Sequence, residues 1–266
     1  MSEWDATTYQ RVSDPQVAWG RDVIGGVHLR GDETLLDAGC GTGRVTRLWA
    51  EAVPRGRVIA VDASHDMVRE ARAALADLAP RVEVRRMDLL ELDVGEPVDV
   101  IVSTAVFHWV LDHEALFARL FAALAPGGRV IVQCGGAGNI ARTLAATDAV
   151  AAREPYRAHL AGAPHEWEFA DARTTARRLT GAGFTGVETW LHEEPADVGT
   201  VEDGARFLAT VVLRLHLMRL PEHLRMPFAT AVAERLLDDT GHVIVDYVRL
   251  EMRAHRPGGR GGPPGR

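Results

Sequence analysis

Hydrophobic positions in the first half of the chain gather into short, nearly continuous runs, separated by longer stretches with helical spacing. The runs are Thr34 to Ala38, Arg57 to Val61, Val82 to Arg86, Val98 to Ser103 and Arg129 to Cys134. Strands that are apolar on both sides suit a parallel sheet covered on both faces. Between them the pattern predicts helices over Thr42 to Ala52, over 65 to 78 behind a Ser64 cap with Asp66 in the first turn, and over His113 to Leu124 behind an Asp112 cap. The last of these stops at Pro126-Gly127-Gly128. Five strand–helix alternations at this spacing predict an α/β, doubly wound, mostly parallel sheet.

Ahead of the first strand, residues 14 to 28 read as an amphipathic helix with Val17, Val23, Ile24 and Val27 as its apolar points. A turn at Arg30-Gly31-Asp32 follows it. The second half is less regular. Asn139 to Arg153 and Asp171 to Ala182 read as helices, Val187 to His192 as a sixth strand, and 203 to 239 as two helical runs separated by Pro221. Val243 to Arg253 completes a set of seven strands. The apolar segment Phe207 to Leu213 serves either as a cap over a cleft or as half of a dimer interface. The expected organisation is a lid helix over 1–30, a nucleotide-type binding core over 31–135, the rest of the sheet with cap helices over 136–255, and a Pro/Gly-rich disordered tail over 256–266. No internal repeat is visible.

The first strand runs into Asp37-Ala38-Gly39-Cys40-Gly41-Thr42-Gly43-Arg44. Glycines where a strand hands over to a helix let backbone approach a ligand closely. The dinucleotide fingerprint needs glycine at the first, third and sixth positions, and here the sixth is Arg44. Asp37 would repel phosphate and attract a cationic group. The run therefore suits a cofactor with an ammonium and no phosphate better than NAD. Asp62 closes the second strand, 25 residues after Asp37, where a carboxylate can accept from both ribose hydroxyls or merely cap the next helix.

Asp37 to Gly43 resembles the first motif of the class I S-adenosylmethionine-dependent methyltransferases. Asp62, Asp88-Leu89 after the third strand and Pro126-Gly127-Gly128 before the fifth extend the resemblance across residues 35 to 134. It implies a Rossmann-like fold and S-adenosyl-L-methionine as cofactor, with S-adenosyl-L-homocysteine as product. The cofactor residues it implies are Tyr9, Asp37, Gly39, Gly41, Asp62, Ala63, Met67, Asp88, Leu89 and Ser103. Met67 would lie beside the adenine, Asp88 and the Leu89 backbone would clamp its edge, and the Ser103 carbonyl would meet the ammonium. His108-Trp109 after the fourth strand, and the Trp4 to Tyr9 segment, resemble the trans-aconitate methyltransferase group. Similar carboxyl methyltransferases hold a substrate carboxylate with a Gln seven residues after the lid Tyr and with the Trp after strand four. Gln16 and Trp109 stand at those positions.

Composition narrows the remaining chemistry. All 30 basic residues are Arg, so Lys-dependent Schiff-base, pyridoxal-phosphate and P-loop chemistry is excluded. Net charge is −7, and no basic stripe interleaved with aromatics is present, which argues against nucleic acid as a partner. Two cysteines make no disulfide framework or zinc cluster, and Cys40 reads as a small filler between glycines. No apolar run is long enough to span a bilayer, so the expectation is a cytoplasmic protein without a membrane partner, monomeric or homodimeric.

The expected reaction is methylation of a small molecule, with a carboxylate oxygen of an organic acid as first choice. A carboxylate with a pKa of about 4 needs no base at neutral pH. His108 then orients the substrate. If the acceptor is instead a natural-product hydroxyl or carbon, His108 is the candidate general base, worth about 10²–10⁴-fold in rate. His113, His165 and His216 are other possible bases but read first as surface or cap residues, and no histidine pair has metal-ligand spacing. The non-enzyme reading is a regulatory protein that binds the cofactor without transferring methyl.

Overall fold

The computed structural model describes residues 20, 23–25, 27–162 and 167–258. The expected lid residues Trp4, Tyr9 and Gln16, together with His165 and the end of the tail, lie outside them. The strands are β1 (Thr34–Ala38), β2 (Arg57–Asp62), β3 (Val82–Arg86), β4 (Val98–Thr104), β5 (Leu124–Gly135), β6 (Thr185–Glu193), β7 (Ala196–Asp197), β8 (Ile244–Val245) and β9 (Val248–His255). The helices are α1 (Arg44–Ala52), α2 (His65–Ala74), α3 (His113–Ala123), α4 (Ala141–Ala151), α5 (Arg157–Leu160), α6 (Ala172–Gly181), α7 (Val201–Val211), α8 (Arg214–Arg219) and α9 (Glu222–Glu234).

Seven strands form one sheet in the order β3-β2-β1-β4-β5-β9-β6. β1 to β5 pair in parallel, and β9 runs antiparallel to both β5 and β6. The doubly wound, mostly parallel sheet is therefore as expected. The apolar runs explain it: Leu35, Leu36, Val58 to Val61 and Val100 to Val102 are all buried, because helices cover both faces. One face packs on α3 and α6 through Phe107, Leu116, Phe117, Leu120 and Leu179. The other packs on α1 and α2 through Trp49, Ala50, Ala71 and Leu75, with Val23 added at its edge. Burying each large apolar side chain contributes roughly 1.5–3 kcal/mol.

A separate apolar cluster joins α4, α7 and α9, with Phe207, Leu208, Val212 and Leu213 buried inside it. The apolar run at 207–213 is thus covered by this chain's own helices. Three helices occupy the region where the sequence pattern gives two, because the chain turns at Val212-Leu213 before Pro221 separates α8 from α9. The expected last strand is also divided. Ile244–Val245 pairs with β7 in a small ribbon, and β9 starts at Val248. Asp246 leaves the strand to cap α4: its carboxylate accepts from the Arg142 and Thr143 N–H groups at 2.6 and 3.0 Å and from the Thr143 hydroxyl at 2.7 Å. Among the described residues no helix is long and apolar enough to cross a membrane.

Candidate active site

The parallel strands end together, and their C-terminal edge gathers most of the predicted residues. The glycine loop hangs from β2, with the Gly39 and Cys40 N–H groups both donating to the Val61 carbonyl at 2.8 and 2.9 Å. Gly39 has φ +93°, and a Cβ there would overlap both Cγ atoms of Val106. Gly41 also has positive φ, +53°, but a Cβ there would meet no heavy atom within 4 Å. The first glycine makes room for the protein itself, and the second leaves an open cradle. Burial pushes the Cys40 thiol well up, which suits a filler rather than a nucleophile.

Asp37 is buried, and its carboxylate accepts from the Thr46 hydroxyl at 2.6 Å. Burial pushes its pKa up to about 7, the Thr46 bond opposes that shift, and the charge of Asp62 adds to it. One oxygen of Asp62 accepts from the Gly41 N–H and the other from the Ser64 N–H, both at 2.9 Å. Asp62 therefore fixes the loop and the start of α2 at once. Ser64 Oγ caps α2 by accepting from the Met67 N–H, and Met67 is buried on that helix. The Ala63 carbonyl accepts from Arg86 Nε at 3.1 Å. Asp88 caps a 3₁₀ turn over Leu89–Glu91 through the Leu90 N–H at 2.9 Å, and Leu89 is buried. Ser103 is fully buried, and its hydroxyl donates to the Ala38 carbonyl at 2.6 Å, tying the ends of β1 and β4 together.

After β4 the chain passes through Ala105 at φ +61° into the 3₁₀ turn Phe107–Trp109. His108 is buried there, and its Nδ1 accepts the Gly135 N–H at 3.1 Å. A backbone N–H can only donate, so the ring proton of the neutral imidazole sits on Nε2. Burial, then the charges of Arg249 and His113, push the His108 pKa down to about 3. The ring lies against Phe169 and Trp109 at centroid distances of 5.8 and 5.4 Å, and Trp167 stacks on Phe169 at 5.8 Å and 9°. The Glu168 N–H donates to the His108 carbonyl at 3.0 Å, which anchors this aromatic wall.

His113 departs from its surface expectation. It is buried, its Nε2 lies 3.0 Å from the Phe107 carbonyl, and it supports the His108 turn from behind. His216 is buried in the helical layer, stacked on Phe228. Thr46, Trp167, Phe169 and Arg249 are site neighbours that the motif reading did not single out. Among the described residues no group of three or more His, Cys, Asp or Glu could hold a metal ion.

The methyltransferase-domain family matches residues 35–128, from β1 to the bulge before the body of β5. The chain is 38% identical over 133 residues to the trans-aconitate 2-methyltransferase of Azoarcus sp., covering 50% of this chain and 51% of that protein. It is 33% identical over the same length to the enzyme of that name from Methylobacterium nodulans, covering half of each. The matched segment carries the glycine loop, Asp62, Asp88 and His108, and over that segment the chain is a methyltransferase domain of the S-adenosylmethionine-dependent type. It spans about half the length of the curated relatives it matches. A solved structure, phosphoethanolamine N-methyltransferase 2 of Haemonchus contortus with S-adenosylhomocysteine bound, shares the fold at a TM-score of 0.62 and 16% identity, covering 95% of this chain and 57% of that one. S-Adenosylmethionine is the family's cofactor, and this chain's atoms fit it. The cradle over Gly41 is open, and the buried Asp37 carboxylate lies where a cationic group would offset its desolvation.

Proposed function

We propose that this chain is an S-adenosylmethionine-dependent methyltransferase that esterifies a carboxylate of a small organic acid. The observation that carries the proposal is the state of His108. A neutral ring whose Nδ1 is occupied by the Gly135 N–H offers Nε2–H as a donor and cannot accept a proton at neutral pH. A carboxylate is already ionised and wants a donor rather than a base. The similarity to trans-aconitate 2-methyltransferases supports the same acceptor class. The reading in which His108 is a general base for a hydroxyl or carbon acceptor demands a pKa much nearer 7.

Bound S-adenosylmethionine supplies an electrophilic methyl on sulfonium. In this reading Asp37 holds the cofactor's ammonium, aided by the Ser103 carbonyl, while Gly39 and Gly41 bring backbone against its length. Asp62 would accept from the ribose hydroxyls. Ala63, Met67, Asp88 and Leu89 surround the adenine. His108 donates to the substrate carboxylate, and Trp109, with Trp167 and Phe169, keeps water from it. By the resemblance Tyr9 would join the cofactor residues and Gln16 the residues that hold the substrate carboxylate; both lie outside the described residues. Placing nucleophile and methyl in line contributes roughly 7–11 kcal/mol to such a displacement.

The test is a pH profile of kcat and KM for wild type, His108→Ala and His108→Gln. Loss of a donor to a charged group raises KM in His108→Ala by roughly 10–100-fold. The amide of His108→Gln recovers part of the loss, and wild-type kcat has no ascending limb near pH 6.5. An ascending limb that His108→Ala abolishes establishes the base instead.

A further inference from the structure

The backbone of the His108 turn is held from two sides, and one side chain joins the two holders. The Phe107 carbonyl lies 3.0 Å from Nε2 of His113, the first residue of α3. The next carbonyl, that of His108, accepts the Glu168 N–H at 3.0 Å. Arg178, on α6, reaches both holders. Its Nη1 stands 2.8 Å from the Glu168 carboxylate and 3.3 Å from His113 Nδ1. Two successive carbonyls of the turn are thus fastened to one guanidinium, each through a single intermediary.

Donor and acceptor roles in this ring of bonds follow from elementary chemistry. A carbonyl only accepts, so the His113 proton sits on Nε2; a guanidinium only donates, so His113 Nδ1 receives. Burial, aided by the Arg178 charge and opposed by the bond to Phe107, keeps the His113 pKa down and its ring neutral. Glu168 is the middle residue of the 167–169 segment, so the same guanidinium steadies the stretch that lays Phe169 against the His108 ring. The Arg178 and Glu168 side chains are 23% and 33% exposed, and an ion pair that accessible contributes little to stability. Its effect is on placement. The His108 ring is already fixed at Nδ1 by the Gly135 N–H. With both flanking carbonyls held as well, the direction of its Nε2–H is set.

We propose that Arg178 is a positioning residue for the methyl acceptor: through His113 and Glu168 it holds the His108 turn, and so aims the His108 Nε2–H at the substrate. This role rests on the carboxylate reading above and extends it to a residue that touches no substrate. Arg suits the place because one Nη carries two N–H donors held in the guanidinium plane, whereas Lys offers a freely rotating ammonium.

The test is a double-substitution cycle read in KM for trans-aconitate, with KM for S-adenosylmethionine as the control. Arg178→Met removes both bonds and keeps most of the apolar stem. It should raise KM for trans-aconitate roughly tenfold and leave KM for S-adenosylmethionine within about twofold, because only the acceptor side is displaced. Arg178→Lys should recover part of the loss. In a His108→Ala background no donor remains to be aimed, so Arg178→Met should then raise KM by less than about twofold. A merely structural role gives equal effects in both backgrounds. Equal rises, or no rise in folded Arg178→Met, overturn the positioning role. If Arg178→Met does not fold, Glu168→Gln takes its place in the cycle with the same expectations, since it keeps the N–H to His108 and loses the charge that Arg178 holds. If wild type makes no ester from trans-aconitate, nitrogen NMR of isotope-labelled histidine rings at neutral pH decides without substrate. The His108 signals, identified by their loss in His108→Ala, should show one Nε2–H tautomer in wild type and a mixture in Arg178→Met. A mixture supports Arg178 as the fixture of the turn, while the missing ester counts against the carboxylate reading alone. An unchanged tautomer in folded Arg178→Met overturns the role of Arg178.

Discussion

Asp37 and His108 have their pKa values moved by the same cause in opposite directions. Burial penalises charge, so the carboxyl rises to about 7 and the imidazole falls to about 3. Both residues are conspicuous in the sequence. Their protonation states are not, because those depend on side chains brought in from other strands. For Asp37 the consequence is testable. A cationic ligand group pairs with the ionised carboxylate, and below pH 7 it must first displace a proton. S-Adenosylhomocysteine affinity should therefore fall about tenfold per pH unit from pH 7 to pH 5 and level off above pH 7. Calorimetry across that range checks it. Asp37→Asn should bind weakly and without the slope, and a flat wild-type profile contradicts the pairing. Linkage in the ligand-free protein has the opposite sign. The folded pKa lies above the ordinary aspartate value of 3.8, so the stability Asp37 contributes is fully present below that value and is lost as pH rises through about 7.

Elements were legible to different degrees. β1 to β4 follow the apolar runs closely, since a strand covered on both faces has little choice of residue. Boundaries that depend on a distant partner were not legible. The break at Asp246 exists because α4 needs a cap from residues about a hundred positions away. The polar face of β9 left a trace: Arg249, Glu251 and Arg253 alternate with Leu250 and Met252, the period-two mark of a strand with one polar side. What that side meets depends on β4 and β5. The glycine loop supplies the prediction at this scale. Gly39→Ala forces a methyl into Val106 at a positive φ and should destabilise the fold measurably in thermal unfolding. Gly41→Ala meets open space, so it should cost only about 1–2 kcal/mol of backbone strain. It should still weaken S-adenosylhomocysteine binding by placing a methyl where the ligand approaches. Equal effects of the two substitutions on unfolding and binding contradict the separate roles.

At the scale of the whole molecule, the strand order makes the site. Crossing from β1 to β4 and inserting β9 between β5 and β6 brings residues 37, 62, 108, 135 and 249 to one edge. The helical layer of α4, α7 and α9 has its own apolar core and joins that edge through Asn139, whose side-chain carbonyl accepts from the Val248 N–H at 3.0 Å. Half of the chain resembles its relatives in sequence, and the family match over residues 35–128 contains most of the residues proposed to hold the methyl donor. The proposed acceptor side also includes the aromatic residues of the 167–169 segment, where no motif announces a role. The most direct measurement incubates the protein with isotope-labelled S-adenosylmethionine and trans-aconitate or glutarate, then follows S-adenosylhomocysteine and methyl ester together by mass spectrometry. The account predicts one labelled methyl ester for each S-adenosylhomocysteine formed. Tight cofactor binding with no ester from any carboxylic acid, alongside label transferred to a phenol or an amine, contradicts it.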